Sequence, residues 1–356
     1  MNFVLAKENS FFSIQHSCSR LVMLASLFVL LILPENGQAQ ESIVPTDTEE
    51  VEAEAQAEPE LTLPGTKRVN VTHGYLSTSV EKLSRWIDGF FGEDRVYEES
   101  SGTYVQARVS SIYGETGEID FDSSFRAKVD LPQLQERVNI VLESEDDSGN
   151  DDNFERITSG SDFKDDLNDS DVTASVQFMI KEKERWNFSI RPGLRISSPI
   201  ESYVKFRFRR NQPLGPVWNS RGTVEFKYNS DYNWEDRLTV EFERDIGDKN
   251  FFRSISTAIW DEDDSDNCFL GQAFQVTHFI DRHKLISFEI GTTGETEPHL
   301  RNLSYFSNIR YRKDIHRGWL FLEIKPQIVY TRENDYEAEE ALVLTLEMLF
   351  GGRYLE

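Results

Sequence analysis

Downstream of residue 100 the chain alternates apolar and polar positions in runs of about ten residues, with turn-forming residues between the runs. Ile119, Phe121, Phe125, Ala127, Val129 and Leu131 alternate with Asp120, Asp122, Ser124, Arg126, Lys128 and Asp130. Trp186, Phe188, Ile190, Leu194 and Ile196 alternate with Asn187, Ser189, Arg191, Gly193 and Arg195. Val204, Phe206 and Phe208 alternate with Lys205, Arg207 and Arg209. Side chains on a strand switch faces at every residue, so each run has one apolar face and one charged face. A soluble sandwich turns the apolar face inward. A membrane barrel turns it outward to lipid and keeps the polar face in its lumen.

The pattern predicts strands near 103–112, 117–130, 137–144, 171–181, 185–197, 202–210, 217–228, 234–244, 251–260, 269–280, 284–293, 303–312, 318–331 and 341–350. That is an all-β chain of about fourteen strands, with twelve as the near alternative; even numbers are expected of bacterial single-chain barrels. If the first strand runs outward, the inner connections are all short. The long acidic connections, 145–170 and 261–268, fall outside. Membrane barrels sort their loops this way. Trp186 and Trp319 lie at inner strand ends; Tyr113, Tyr228, Trp234, Trp260 and Tyr330 lie at outer ends. Two interfacial girdles of Trp and Tyr are expected of a barrel in lipid. Pro192 and Pro326 sit inside strands and are expected to mark bulges, because proline cannot donate to the ladder and a closed barrel has no edges.

The N-terminus reads as an export signal. Residues 21–33 are uninterruptedly apolar, Lys7 and Arg20 precede them, and Pro34, Gly37 and Ala39 follow. The run is shorter than the roughly 20 residues of a spanning helix, so residues 1–39 are expected to be a cleaved signal peptide, cut near Ala39. Residues 41–60 carry eight carboxylates and no Lys or Arg, which places an acidic, disordered linker at 40–77. Residues 78–92 follow as an amphipathic helix: Thr78 and Glu81 can form a capping box, and Val80, Leu83, Trp86, Ile87, Phe90 and Phe91 share a stripe. It either plugs or caps the barrel mouth, docks a partner, or simply packs on the first strand. The barrel itself is expected over 100–352.

The formal net charge is −25, the sequence pI is near 4.7 and the mean hydropathy is −0.51. Such acidity argues against nucleic-acid binding. Low hydropathy is incompatible with a helical membrane protein, and it is what a barrel with a polar lumen shows. With the leader removed, Cys268 is the only cysteine of the mature chain, which leaves no intramolecular disulfide and no cysteine-based zinc site. Asp147, Asn150, Asp151, Asp152 and Asn153 supply hard oxygen ligands but lack the register of a calcium hand, so no metal is assigned. His73, His278, His283, His299 and His316 fall in no recognisable triad spacing. There is no phosphate loop and no HExxH. No catalytic residue and no cofactor are assigned, and a barrel enzyme that modifies lipid or peptide is the remote alternative.

The polar face carries the functional candidates. Arg191, Arg195, Lys205, Arg207 and Arg209 come from two consecutive strands, and Glu225 and Glu241 from the two strands that follow. One reading is a basic wall facing an acidic one across a pore. The other is a lumen closed by salt bridges, since buried charges must be compensated.

The final strand places Leu342, Leu344, Leu346, Met348 and Phe350 on one face. It resembles the C-terminal strand of Gram-negative outer-membrane barrels, where alternating apolar residues end in an aromatic that the assembly machinery recognises. Here Gly351 to Glu356 follow Phe350. The stretch from Trp86-Ile-Asp-Gly-Phe-Phe-Gly through the first hairpins is similar to uncharacterised exported proteins of Gram-negative bacteria. This likeness, over about residues 100–350, implies a transmembrane antiparallel up-and-down barrel in the cell outer membrane. Its neighbours there would be lipid, lipopolysaccharide and the barrel-assembly machinery. A passive pore or transporter for small polar solutes is the first functional expectation. The second is a structural barrel that engages a periplasmic protein through linker and helix.

Overall fold

The computed structural model describes residues 73–91, 103–114, 117, 119–131, 138–145, 171–183, 185–196, 199–231 and 233–351. The leader, the linker as far as Thr72 and the acidic connection 146–170 lie outside the described residues. Among the described residues one helix, α1 (His73–Phe91), precedes fourteen strands: β1 (Tyr104–Gly114), β2 (Ile119–Asp130), β3 (Val138–Glu145), β4 (Asp171–Lys183), β5 (Trp186–Ile196), β6 (Glu201–Leu214) and β7 (Trp218–Asn229). These continue as β8 (Asn233–Ile246), β9 (Asn250–Asp261), β10 (Phe269–Asp281), β11 (Lys284–Glu295), β12 (Arg301–His316), β13 (Leu320–Thr331) and β14 (Ala338–Phe350). Every strand pairs antiparallel with its sequence neighbours, and β1 pairs with β14 from Val105–Phe350 to Gly114–Ala341. The sheet is closed. The expected fourteen strands are all present.

Burial is inverted relative to a soluble protein. Along β5 and β6, Asn187, Ser189, Arg191, Arg195, Lys205, Arg207 and Arg209 are buried, while Phe188, Ile190, Phe206 and Phe208 are half-exposed. Phe121 is 70 % exposed, Ile290 57 % and Leu344 40 %. An apolar exterior around a charged interior is stable where the outer medium is hydrocarbon, and closure leaves no unpaired strand edge in it. The chain is therefore a membrane-spanning barrel of the outer-membrane type. Among the described residues no helix is long and apolar enough to cross a membrane.

Aromatics cluster at strand ends. At the end carrying the short turns, which we call the short-turn end, Trp186 packs on Phe208 and Trp319 on Phe350. Guanidinium groups cover two of the outward-facing Trp rings there, Arg210 over Trp186 at 4.4 Å and Arg244 over Trp218 at 5.0 Å. Tyr228 and Trp234 meet at the opposite end. Between β12 and β13, Arg317 and Gly318 take φ of 47° and 73°. Two successive left-handed residues make the tight turn whose twist matches a hairpin.

Two sequence expectations are corrected. The helix starts at His73 rather than Thr78, so the Thr78–Glu81 pair lies inside it and is not its cap. Pro192 and Pro326 do not mark bulges. The β4–β5 ladder passes from Ser175–Gly193 to Phe178–Ile190 in unchanged register, and the β12–β13 ladder from Asn308–Gln327 to Tyr311–Ile324. Each proline interrupts bonding on one side only and keeps its register with Val204 or Leu342 on the other. The extra residues are instead Ile180, Ile280, Leu303 and Ile315.

Candidate functional site: a charged lumen with a helix across one mouth

Alternation along β5 to β8 turns all seven candidate residues inward. Five of them have ion pairs on the adjacent strand, and Arg191 reaches one strand further. Arg195 lies 3.6 Å from Glu201, its register partner on β6. Glu225 receives Lys205 at 3.0 Å and Arg207 at 3.3 Å. Arg221 lies 3.8 Å from Glu241 and donates to Asn211 at 3.0 Å. Arg191 reaches past β4 to Glu143 of β3 at 3.1 Å, and Glu143 also holds Arg126 at 2.9 Å. Arg209 is buried on the same face. Glu225 and Glu241 therefore do not form an opposite wall. They stand in register with Arg207 and Arg221, because β7 is the direct neighbour of both β6 and β8.

A second charged cluster spans the closing seam. Arg312 of β12 is held by Glu347 of β14 at 2.6 Å and by Glu323 of β13 at 3.3 Å. Arg108 of β1 reaches Glu347 at 2.7 Å, and Arg310 reaches Glu323 at 3.5 Å. The Arg312 and Glu347 side chains are each 1 % exposed. Charges taken out of water at this depth are tolerable only when paired and hydrogen-bonded.

The short-turn mouth is built differently. Tyr104, Phe251, Phe279, Leu285, Phe321 and Leu349 point into the barrel from the short-turn ends of β1, β9, β10, β11, β13 and β14 and form one buried cluster with Leu83, Ile87, Phe90 and Phe91 of α1. Trp86 meets Phe279 at 5.8 Å between ring centroids, and Phe90 meets Phe321 edge-on at 5.6 Å. Arg310 lies over the Phe91 ring at 5.1 Å. The helix's other buried edge is polar. Ser84 donates to Glu243 at 2.7 Å, and Arg253 donates to Ser84 at 3.0 Å and to the carboxylate of Asp88. Arg253 is also 3.1 Å from Glu243, which accepts from Asn219 at 3.2 Å. Helix α1 thus lies across the mouth, its apolar stripe on a ring of aromatic and aliphatic residues and its Ser84–Asp88 edge on β7, β8 and β9. Lys82 and Arg85 remain exposed on it.

Sequence reasoning missed Asp88, Ser84, Arg253 and the Arg108–Glu347–Arg312 cluster as site residues. One signal was available for the first two: Ser84 and Asp88 are polar residues four apart within the apolar stripe, a place where a polar side chain needs a partner. His73 begins α1, and His278, His283, His299 and His316 are turn and strand-end residues. His278 Nδ1 lies 2.8 Å from Asn250 and His283 Nδ1 lies 2.9 Å from Asp314. The proposed oxygen ligands at 147–153 lie outside the described residues.

No family model matches the chain, and no curated protein matches it. Solved structures do. A bacterial polysaccharide outer membrane secretin is similar at 10 % identity and a TM-score of 0.44, over 70 % of this chain and 99 % of that one. OpdK of Pseudomonas aeruginosa, solved with vanillate, is similar at 8 % identity and a TM-score of 0.41, over 70 % and 98 %. The outer membrane channel DcaP of Acinetobacter baumannii matches at 8 % identity and a TM-score of 0.40, over 70 % and 96 %.

Proposed function

We propose that this barrel sits in the outer membrane of a Gram-negative cell and passes small polar solutes, anions in preference to cations. The short-turn end is then periplasmic, as are the linker and α1. Lipid and lipopolysaccharide surround the apolar exterior, and the strand ending at Phe350 is the element offered to the assembly machinery.

The observation that carries the reading is the charge balance of one lumen wall. Along β5, β6 and β7 the lumen face presents Arg191, Arg195, Lys205, Arg207, Arg209, Arg221 and Lys227 against Glu201 and Glu225. Adding the flanking carboxylates Glu143 and Glu241 gives seven cations against four acids, a net charge of +3, in a chain whose overall charge is −25. A fixed excess of one sign in a low-dielectric conduit concentrates the opposite ion.

The test is the reversal potential in planar bilayers under a salt gradient. Replacing Arg195 and Arg207 together with Gln should lower anion preference, most at low salt, because screening acts beyond a Debye length of about 8 Å at physiological ionic strength. A current with no anion preference in the parent, or with the same preference in both forms, would sink the reading. A second reading has its own observation: Lys82 and Arg85 are exposed on the outer side of α1, a basic surface on which an acidic periplasmic partner could dock. Capture of such a partner that is lost on Lys82→Glu with Arg85→Glu would favour it.

A further inference from the structure

We propose that α1 is a detachable plug, docked on a site built for it at the periplasmic mouth, and that its release opens the conduit. This rests on the solute-passage reading above. Two features of the mouth carry it.

The first is the apolar ring. Phe251, Phe279, Leu285 and Phe321, with Tyr104 and Leu349, face the interior as the larger of its apolar clusters, the other being Phe306 and Val329 away from the helix, in an interior that is otherwise mostly polar or charged. Such residues have no role in a water-filled passage, and their exposure to water is unfavourable. They match the helix stripe: Ile87 is 0 % exposed, Phe90 1 % and Phe91 2 %. The docked helix lies across the end of the barrel through which such a route would run.

The second is the way the polar edge is shared. Arg253 holds Asp88 and Ser84 of the helix, but also Glu243 at 3.1 Å and Glu241 at 3.8 Å of the barrel. Glu243 holds Ser84, but also Arg253 and Asn219. When the helix leaves, every barrel charge at the latch keeps a partner on the barrel. Asp88 leaves with the helix and is solvated. A buried ion pair normally resists separation because one partner is stranded in the interior. Here neither is. The Glu347 carboxylate makes the contrast, since the two arginines that hold it, Arg108 and Arg312, are both on strands.

The test uses the full chain in planar bilayers, with heat-modifiable gel mobility as the check of barrel folding. Asp88→Lys sets a cation against Arg253, and Phe90→Asp sets a carboxylate against Phe321. Each should raise the open fraction on the order of tenfold or more, the factor that follows from losing one charge-assisted bond, at unchanged unit conductance and gel mobility. Lys249→Glu, in the exposed β8–β9 turn of the same mouth, should behave as the parent chain. Folded, conducting barrels in which Asp88→Lys and Phe90→Asp keep the parent's open fraction would overturn the plug while leaving solute passage standing. Folded barrels that are silent in the parent and in both variants would overturn passage itself, and the plug with it.

Discussion

Midway along the lumen, Arg207 and Arg221 meet Glu225 and Glu241 on the adjacent strand. At the short-turn mouth, Phe251, Phe279, Leu285 and Phe321 face the same interior and meet α1. The two regions share strands but not a source of stability. A charge can be neutralised by its neighbour within the sheet, so the walls need nothing beyond correct register. An apolar ring gains only by leaving water, so it needs a separate element with a matching face. The walls therefore belong to the barrel alone, while the mouth belongs to barrel and N-terminal segment together.

The largest way to break the first half of that comparison is at Glu347. Glu347→Gln removes the buried carboxylate that Arg108 and Arg312 share. The loss of one partner of a buried pair should cost about 3–5 kcal/mol, read as a lower urea midpoint for unfolding in detergent or lipid. A midpoint equal to the parent's would mean that the seam is wet and the pair screened. Next comes the outer face, which sets the frame for both regions. Phe206→Arg puts a charge toward mid-bilayer and should cost on the order of 2–4 kcal/mol, with reduced assembly. An unimpaired barrel would place Phe206 away from lipid. The smallest effect sharpens the comparison within one strand. Thr345, two residues before Glu347, shares a 2.9 Å hydroxyl contact with Ser110 across the same seam. Thr345→Val removes one neutral hydrogen bond, worth about 0.5–1.5 kcal/mol. If it costs as much as Glu347→Gln, the charged cluster has no special weight.

The strands were legible because a period of two, broken by turn residues, is a strong signal when repeated fourteen times. Their ends were less so. The strand expected at 303–312 runs from Arg301 to His316, with one bulge at the first residue of the expected span, Leu303, and one beyond its end, at Ile315, where alternation is interrupted. The helix was read from its stripe, but its start was displaced because Thr78 and Glu81 satisfy a capping pattern that the chain does not use. The inward direction of Arg191, Arg195, Lys205, Arg207 and Arg209 followed from alternation alone. Their partners did not. Pairing depends on register between strands, and Arg191 passes over its neighbouring strand to reach Glu143. The helix latch was beyond reach, since Asp88 and Arg253 are 165 residues apart and nothing local in either stretch names the other.

The central claim is that this barrel spans a membrane with its charged face inside and its apolar face in lipid. Nitroxide labels placed one at a time from Val204 to Arg209, in the barrel reconstituted in bilayers, test it most directly. Labels at 204, 206 and 208 should collide with oxygen, which partitions into hydrocarbon, and resist a water-soluble nickel chelate. Labels at 205, 207 and 209 should show low oxygen accessibility. The opposite phase, or no alternation along the strand, would contradict the account.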